Sequence, residues 1–382
     1  VQVLVAPDKF KGSLTALEAA KAMAEGVRDV MPEAEIAIVA VADGGEGTHE
    51  AAIAAGAEER TMQVRGPDQR GLHATWAILG SRAIIETAKA SGLAQVTPTP
   101  DMAANASSYG SGQLILKALD SGVDEIIVGL GGSAMTDGGS GALRALGLRV
   151  LDKRGIEVPE GGRGLGKATI LDTTSLDPRL RTVKIRLASD VNNPLYGPTG
   201  AAHVFGRQKG ADSPTRQELD SCLRHWAELL KATTGMDVQR PGTGAAGGFP
   251  AGFLALANST IEPGFSLVAE LVGLNDDIRD ADLVITGEGS LDAQSLAGKA
   301  PIGVALRARQ MGKPTIAVAG QVELTQRQLE QHGILVAASV TECAPSIREG
   351  FDDAPRYVRQ ATRLALQRLS EATRRVVGDL PR

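Results

Sequence analysis

Apolar residues along this chain fall into short runs of strand length, separated by stretches that carry the three- and four-residue spacing of a buried helix face. The first run, residues 1–6 (VQVLVA), reads as a strand and leads through Pro7-Asp8-Lys9-Phe10-Lys11-Gly12 into a helix. Thr15 and Glu18 stand at capping-box spacing, and Leu17, Ala20, Ala24, Val27 and Met31 mark the buried face of that helix. Residues 36–42 give a second strand, followed by Asp43-Gly44-Gly45-Glu46-Gly47-Thr48 and a helix carrying residues 52–55. Strand, polar loop and helix, repeated at once, open a parallel α/β sheet.

The rhythm then changes. Short strands are predicted over 60–64, 72–79 and 83–86, and a helix over 104–119. Antiparallel pieces and longer polar connections continue to about residue 270. The alternation returns with a strand at 281–286, a helix at 298–311, strands at 315–319 and 333–337, and a closing helix at 353–372. In that last helix Val358, Ala361, Ala365 and Leu369 lie close to one face. The expected fold is therefore α/β, with a Rossmann-like parallel-sheet domain that is discontinuous in sequence. Residues 1–58 and 275–382 are assigned to it, and residues 59–274 to an inserted mixed α/β domain.

Between a strand at 125–128 and a helix start at 142–146 runs GLGGSAMTDGGSG, residues 129–141. Glycines there let the backbone turn tightly and expose consecutive N–H groups, and a helix N-terminus adds partial positive charge. An anion is the expected guest, and carboxylate or phosphate fits equally well.

Composition narrows the classes. The chain has 382 residues, 46 glycines and a formal charge of −5, with no block of lysine or arginine, so a nucleic-acid groove has no electrostatic support. Cys222 and Cys343 have neither metal nor disulfide spacing, and Cys222 falls on the buried face of an amphipathic helix with Leu219, Leu223, Trp226 and Leu230. No run approaches membrane-spanning length and the start lacks a signal-like region, so a soluble cytoplasmic protein is expected.

Three charged, glycine-flanked loops follow strands of the discontinuous domain, where parallel sheets bind ligands. In the first, Lys9 and Lys11 are placed to neutralise a phosphoryl group or clamp a carboxylate. Asp43 and Asp292, in the other two, are hard oxygen donors suited to Mg²⁺. Glu46 and Glu288 have a second reading as first-turn acids of helices. Asp190, at a strand end with Asn192 and Asn193 beside it, is a candidate Mg²⁺ ligand or general base. A second glycine loop, residues 242–248 (GTGAAGG), either cradles phosphates or lets elements pack closely. The stretch GGRGLGK at 161–167 is not a P-loop, because Ala168 stands where the Mg²⁺-binding hydroxyl belongs and a strand follows. The five histidines show no zinc spacing.

Six blocks together are specific. APDKFKGSLTALEAA (6–20), ADGGEGT (42–48), GLGGSAMTDGGSGAL (129–143), SDVNNPL (189–195), GTGAAGG (242–248) and TGEGSLDAQS (286–295) resemble the signature blocks of the bacterial type I glycerate kinase family. The resemblance spans essentially the whole chain, in family order. It implies ATP- and Mg²⁺-dependent phosphorylation of D-glycerate in glycerate, glyoxylate or sugar-acid catabolism, at an active site between a Rossmann-like domain and an inserted α/β domain. Carried onto this chain, it makes Asp190, Lys9 and Lys11 the catalytic candidates and Asp190 and Asp292 the Mg²⁺ ligands. Asp43, Gly44, Gly131, Gly132, Ser133, Thr136, Asp137, Asn192, Gly244, Gly247 and Glu288 become candidates for holding substrate or phosphates. The favoured product is 2-phosphoglycerate. The alternatives are 3-phosphoglycerate, another small hydroxy acid as acceptor, or a non-catalytic sugar-acid sensor. A Rossmann oxidoreductase is disfavoured, since Pro7-Asp8-Lys9 replaces the GxGxxG turn. No nucleic acid and no membrane are expected as partners, and monomer and homodimer both remain open.

Overall fold

Strand β1 (Gln2–Pro7) is buried at every position but its first. Val3 and Val5 enter one apolar cluster while Leu4 and Ala6 enter another, as the two-residue period of a strand requires when both faces are covered. The computed structural model describes residues 1–378, apart from the side chains of 297 and 373–378. In chain order its other strands are β2 (Glu35–Ile38), β3 (Glu58–Arg65), β4 (Gly71–Leu79), β5 (Arg82–Glu86), β6 (Glu125–Gly129), β7 (Arg149–Leu151), β8 (Ile170–Asp172), β9 (Lys184–Ala188), β10 (Ser259–Glu262), β11 (Leu283–Leu291), β12 (Thr315–Val322) and β13 (Val336–Ser339).

The chain divides into two units, residues 1–43, 50–55 and 265–382 in one and residues 44–49 and 56–264 in the other. The first carries a parallel sheet in the order β13-β12-β11-β1-β2. From β1 the chain passes to β2 on one side, and β11, β12 and β13 build outward on the other. The topological switch point therefore lies between β1 and β11, the place where open α/β sheets take their ligands. The helix Ala16–Val30 has the expected capping box, and with the closing helix Ala354–Gly378 it covers one face. Leu17 departs from expectation. It is exposed, and Ala16, Ala19, Ala22 and Met23 take the buried positions instead, because the helix meets both the sheet and the closing helix.

The second unit carries a mixed sheet, β10-β9-β6-β5-β4-β3, in which β5, β6, β9 and β10 run parallel and β3 and β4 antiparallel. The Rossmann-like parallel sheet, discontinuous in sequence, and the inserted mixed α/β domain are thus both present. Both tryptophans are buried in this second core, with Phe249 and Phe253 stacked beside each other at 4.6 Å.

Three sequence expectations change here. The helix expected over 104–119 is two helices, Pro100–Asn105 and Tyr109–Asp120, broken at Ser107 and Ser108. The strand expected at 281–286 runs on as β11 to Leu291. Glu288 pairs with Ala319 of β12 and is a strand residue, neither in a loop nor in the first turn of a helix. The strand expected at 333–337 lies at Val336–Ser339, since Gly333 and Ile334 close the preceding turn onto Glu330 and Leu329.

Candidate functional site

In the first unit the carboxyl ends of β1, β2 and β11 bring together a group of acids and lysines. Asp8 directly follows β1, and its N–H donates to the Gly287 carbonyl at 2.8 Å. The side chain is 6 % exposed, and Oδ1 accepts from the Lys9 N–H at 2.6 Å. Burial pushes the Asp8 carboxyl up to about 7; the charges of Asp43 and Glu288 add to the rise, and the Lys9 N–H and ammonium oppose it. Glu288 is also pushed up, first by burial and then by Asp292 and Asp43. Its Oε1 accepts from Ser295 Oγ at 2.5 Å, and its Oε2 lies 3.9 Å from Lys299 Nζ. Lys9 is half-buried and Lys11 exposed.

Asp292 uses Oδ1 to accept from the Gln294 and Ser295 N–H groups at 2.7 and 3.2 Å, closing the turn after β11. Only its second oxygen is left for an ion. Among the described residues no group of three or more His, Cys, Asp and Glu side chains is arranged to hold a metal unaided.

Asp8 lacked an assigned role at the level of sequence. Its folded-state value lies above the unfolded 3.8, so the stability it contributes is present below that value and is lost as pH rises to about 7. Asp8→Asn should therefore match the parent in thermal unfolding near pH 4 and exceed it near pH 8, by on the order of 3 kcal/mol in the ligand-free protein. A constant difference across that range would refute the shift.

In the second unit the loops after β5, β6 and β9 stand side by side, because these strands are neighbours: Glu86 pairs with Gly129, and Gly129 with Ala188. Glu86 is buried, and its Oε1 accepts from the Gly47 and His49 N–H groups at 3.0 and 2.9 Å, which anchors the Asp43-to-Thr48 turn. Gly44 in that turn has φ +84°, and a Cβ there would lie 2.3 Å from Gly264 Cα. Asp190 follows β9 and is exposed; its Oδ1 accepts from the Gly264 N–H at 2.9 Å. Asn192 is exposed as well.

The glycine loop differs from expectation at its centre. Asp137 is wholly buried, and its carboxylate accepts from Ser108 N–H and Oγ at 2.8 and 2.7 Å, and from the Gly139 and Gly141 N–H groups at 3.1 and 3.2 Å. Burial raises its pKa and these donors oppose the rise. The following helix, Ser140–Ala145, is only six residues long. Asp137 is thus the anion at that helix start, and the ligand-binding role expected for it gives way to one of holding the loop. Gly131 and Gly132 remain at the surface, while Ser133 and Thr136 are buried. Among the described residues Thr136 Oγ1 has no hydrogen-bond partner.

The second glycine loop packs on the first. Gly247 has φ +68°, a Cβ on it would lie 2.0 Å from the Met135 carbonyl oxygen, and its own carbonyl accepts from the Gly138 N–H at 3.1 Å. The Gly244 N–H donates to the Asn193 carbonyl at 2.9 Å. Close backbone packing, the plainer of the two sequence readings, accounts for these glycines. The rejected P-loop stretch is one helical turn, Gly162–Leu165, followed by β8 and no helix.

Lys209, Ser295, Lys299 and Glu86 join these groups without having been picked out from sequence. Glu86 was detectable as an acid ending a strand. Lys209 carries no local signal.

Comparison with known proteins identifies the family. The profile of the glycerate kinase family matches residues 3–370. A glycerate kinase of Halalkalibacterium halodurans is 42 % identical over 94 % of this chain and 96 % of its own. A glycerate 2-kinase of Escherichia coli K12 is 43 % identical over 95 % of this chain and 96 % of its own. The crystal structure of a Salmonella typhimurium LT2 protein, provisionally assigned as glycerate kinase 2, superposes with a TM-score of 0.86 at 38 % identity, covering 98 % of this chain and 99 % of that one. The chain belongs to the glycerate kinase family.

Proposed function

We propose that this protein transfers the γ-phosphoryl group of ATP to D-glycerate and yields 2-phosphoglycerate. The observation that carries the reading is Asp190, an exposed carboxylate held by the Gly264 N–H at the end of β9, beside the surface glycines that follow β6. A small hydroxy acid needs such a pair: a carboxylate for its hydroxyl and backbone N–H groups for its own carboxylate. Phosphorylation at O2 is supported by the name of the Escherichia coli relative. A reaction that draws on ATP suits a cytoplasmic protein, and among the described residues no helix is long and apolar enough to cross a membrane.

The residues present fit Mg²⁺ and ATP. Asp43 raises the pKa of both Asp8 and Glu288, so like charges are gathered where a cation would relieve them. Mg²⁺ takes one or two carboxylates and completes its shell with water and phosphate, so Asp43 and the second oxygen of Asp292 suffice as protein ligands. When bound, the ion neutralises charge on the phosphate oxygens. Lys9, Lys11 and Lys299 add positive charge for the transferring group. Asp190 orients the acceptor hydroxyl and takes its proton on a carboxylate oxygen.

Lys9→Ala should lower kcat/KM about 100-fold, the size expected for one charged contact to the phosphoryl group. An unchanged kcat/KM would remove Lys9 from that role. The activity itself is tested by ADP release with Mg²⁺ over a panel of hydroxy acids. D-Glycerate should give the highest kcat/KM; a better acceptor would transfer the reading to that acid, and ADP release independent of any acceptor would overturn it.

A further inference from the structure

Lys209 ends the short helical turn Arg207–Lys209 and lies beneath the first glycine loop, 2 % exposed. Its Nζ donates to the Met135 carbonyl at 2.6 Å and to Ser133 Oγ at 3.2 Å. Among the described residues it makes no ion pair. A buried ammonium without a contacting counter-ion is costly, and a glycine loop does not need one to keep its shape. Ser133 is itself held in place from the other side. Gly92 and Ser133 form an isolated antiparallel bridge, in which the Leu93 N–H donates to the Gly132 carbonyl and the Ala134 N–H to the Ser91 carbonyl. Surface residues Gly131 and Gly132 are thus fixed between residues 91–93 and a buried positive charge.

We propose that Lys209 is a positioning residue for the carboxylate of the acceptor: through Ser133 and the Met135 carbonyl it holds the loop, and its charge favours an anion at Gly131 and Gly132. The inference rests on the kinase reading above. The anion is assigned to the acceptor, and not to ATP, because this loop adjoins Asp190 on the next strand of the same sheet, where the acceptor hydroxyl is placed. One ligand then spans the two neighbouring loops.

Burial pushes Lys209 down to about 8, and Asp137 is the charged group that opposes the fall. An anion bound above it favours the charged form, so binding of D-glycerate should weaken as pH rises through 8 and beyond. The test compares the parent with Lys209→Met and Ser133→Ala, reading steady-state KM for each substrate and calorimetric D-glycerate binding without ATP, from pH 7 to 9.5. Lys209→Met should raise KM for D-glycerate about 30-fold, the value of one buried charged interaction, with KM for ATP within about twofold. It should also lose the alkaline weakening seen in the parent. Equal rises in both KM values, or the same pH dependence in the variant, would reduce Lys209 to a structural role. If Lys209→Met does not fold, Ser133→Ala carries the test, with an expected rise of about fivefold in KM for D-glycerate alone; no rise overturns the proposal. A parent that phosphorylates another acid and ignores D-glycerate would instead defeat the functional reading, and does so before any variant is measured.

Discussion

Asp190→Asn is expected to lower kcat about 1,000-fold while leaving thermal unfolding within about 1 °C of the parent, the pattern of a lost proton acceptor at an exposed position. The substitution keeps the shape of the side chain and an oxygen for the Gly264 N–H, so the loop after β9 stays in place. What it removes is the negative charge that, in the proposed reaction, makes the acceptor hydroxyl a better nucleophile. Asp190 is exposed at the end of β9. KM for ATP should stay close to the parent value. Near-normal kcat would leave Asp190 without a catalytic part and would direct attention to the acids at the end of β1 and β11. A fall in kcat accompanied by a collapse of Tm would show that the carboxylate serves the fold.

Asp137→Ala should give the opposite signature, a loss of about 4 kcal/mol of stability with activity falling in proportion to folded protein. Its carboxylate accepts four hydrogen bonds in a wholly buried place, three of them from backbone N–H groups that have no water to turn to. Removing the acceptor leaves those donors unsatisfied and releases the turn between β6 and the next helix. Denaturant unfolding measures this directly. A change below about 1 kcal/mol would mean that the loop relaxes around the gap and that Asp137 is not its anchor.

These two aspartates show where the sequence was legible. Both follow a strand, Asp137 next to glycine and Asp190 close to two asparagines, and both read as ligands. Asp190 is exposed after β9, whereas Asp137 is committed to Ser108, which lies 29 residues earlier. The same contact explains why the helix expected over 104–119 is broken: Ser107 and Ser108 have no strong preference of their own, and a partner distant in sequence decides their conformation. Local rules were sufficient for β1, for the capping box at Thr15 and for the buried face of the closing helix, where Val358, Ala361 and Ala365 are fully buried. They failed at Glu288, because Gly287 and Gly289 suggest a loop while pairing with β12 keeps the chain extended. Lys209 was beyond reach from sequence, since its burial arises only when its short turn packs under a loop formed by distant residues.

The switch point between β1 and β11 gives physical meaning to the charged motif at the start of the chain. Asp8 follows β1 and Glu288 lies within the neighbouring β11, and both are held above ordinary carboxylate values by burial and by Asp43. Such a group of acids is unfavourable without a cation and favourable with one. In the proposed reaction Lys9, Lys11 and Lys299 would supply the positive charge that an anionic nucleotide requires.

The measurement that tests the central claim most directly is phosphorus NMR of the product formed from ATP, Mg²⁺ and D-glycerate. The account predicts a single new phosphomonoester, with the coupling to one proton expected of 2-phosphoglycerate. Coupling to a methylene pair, the mark of 3-phosphoglycerate, would contradict the assigned regiochemistry. Absence of any phosphorylated glycerate from folded protein that binds ATP would contradict the proposed activity itself.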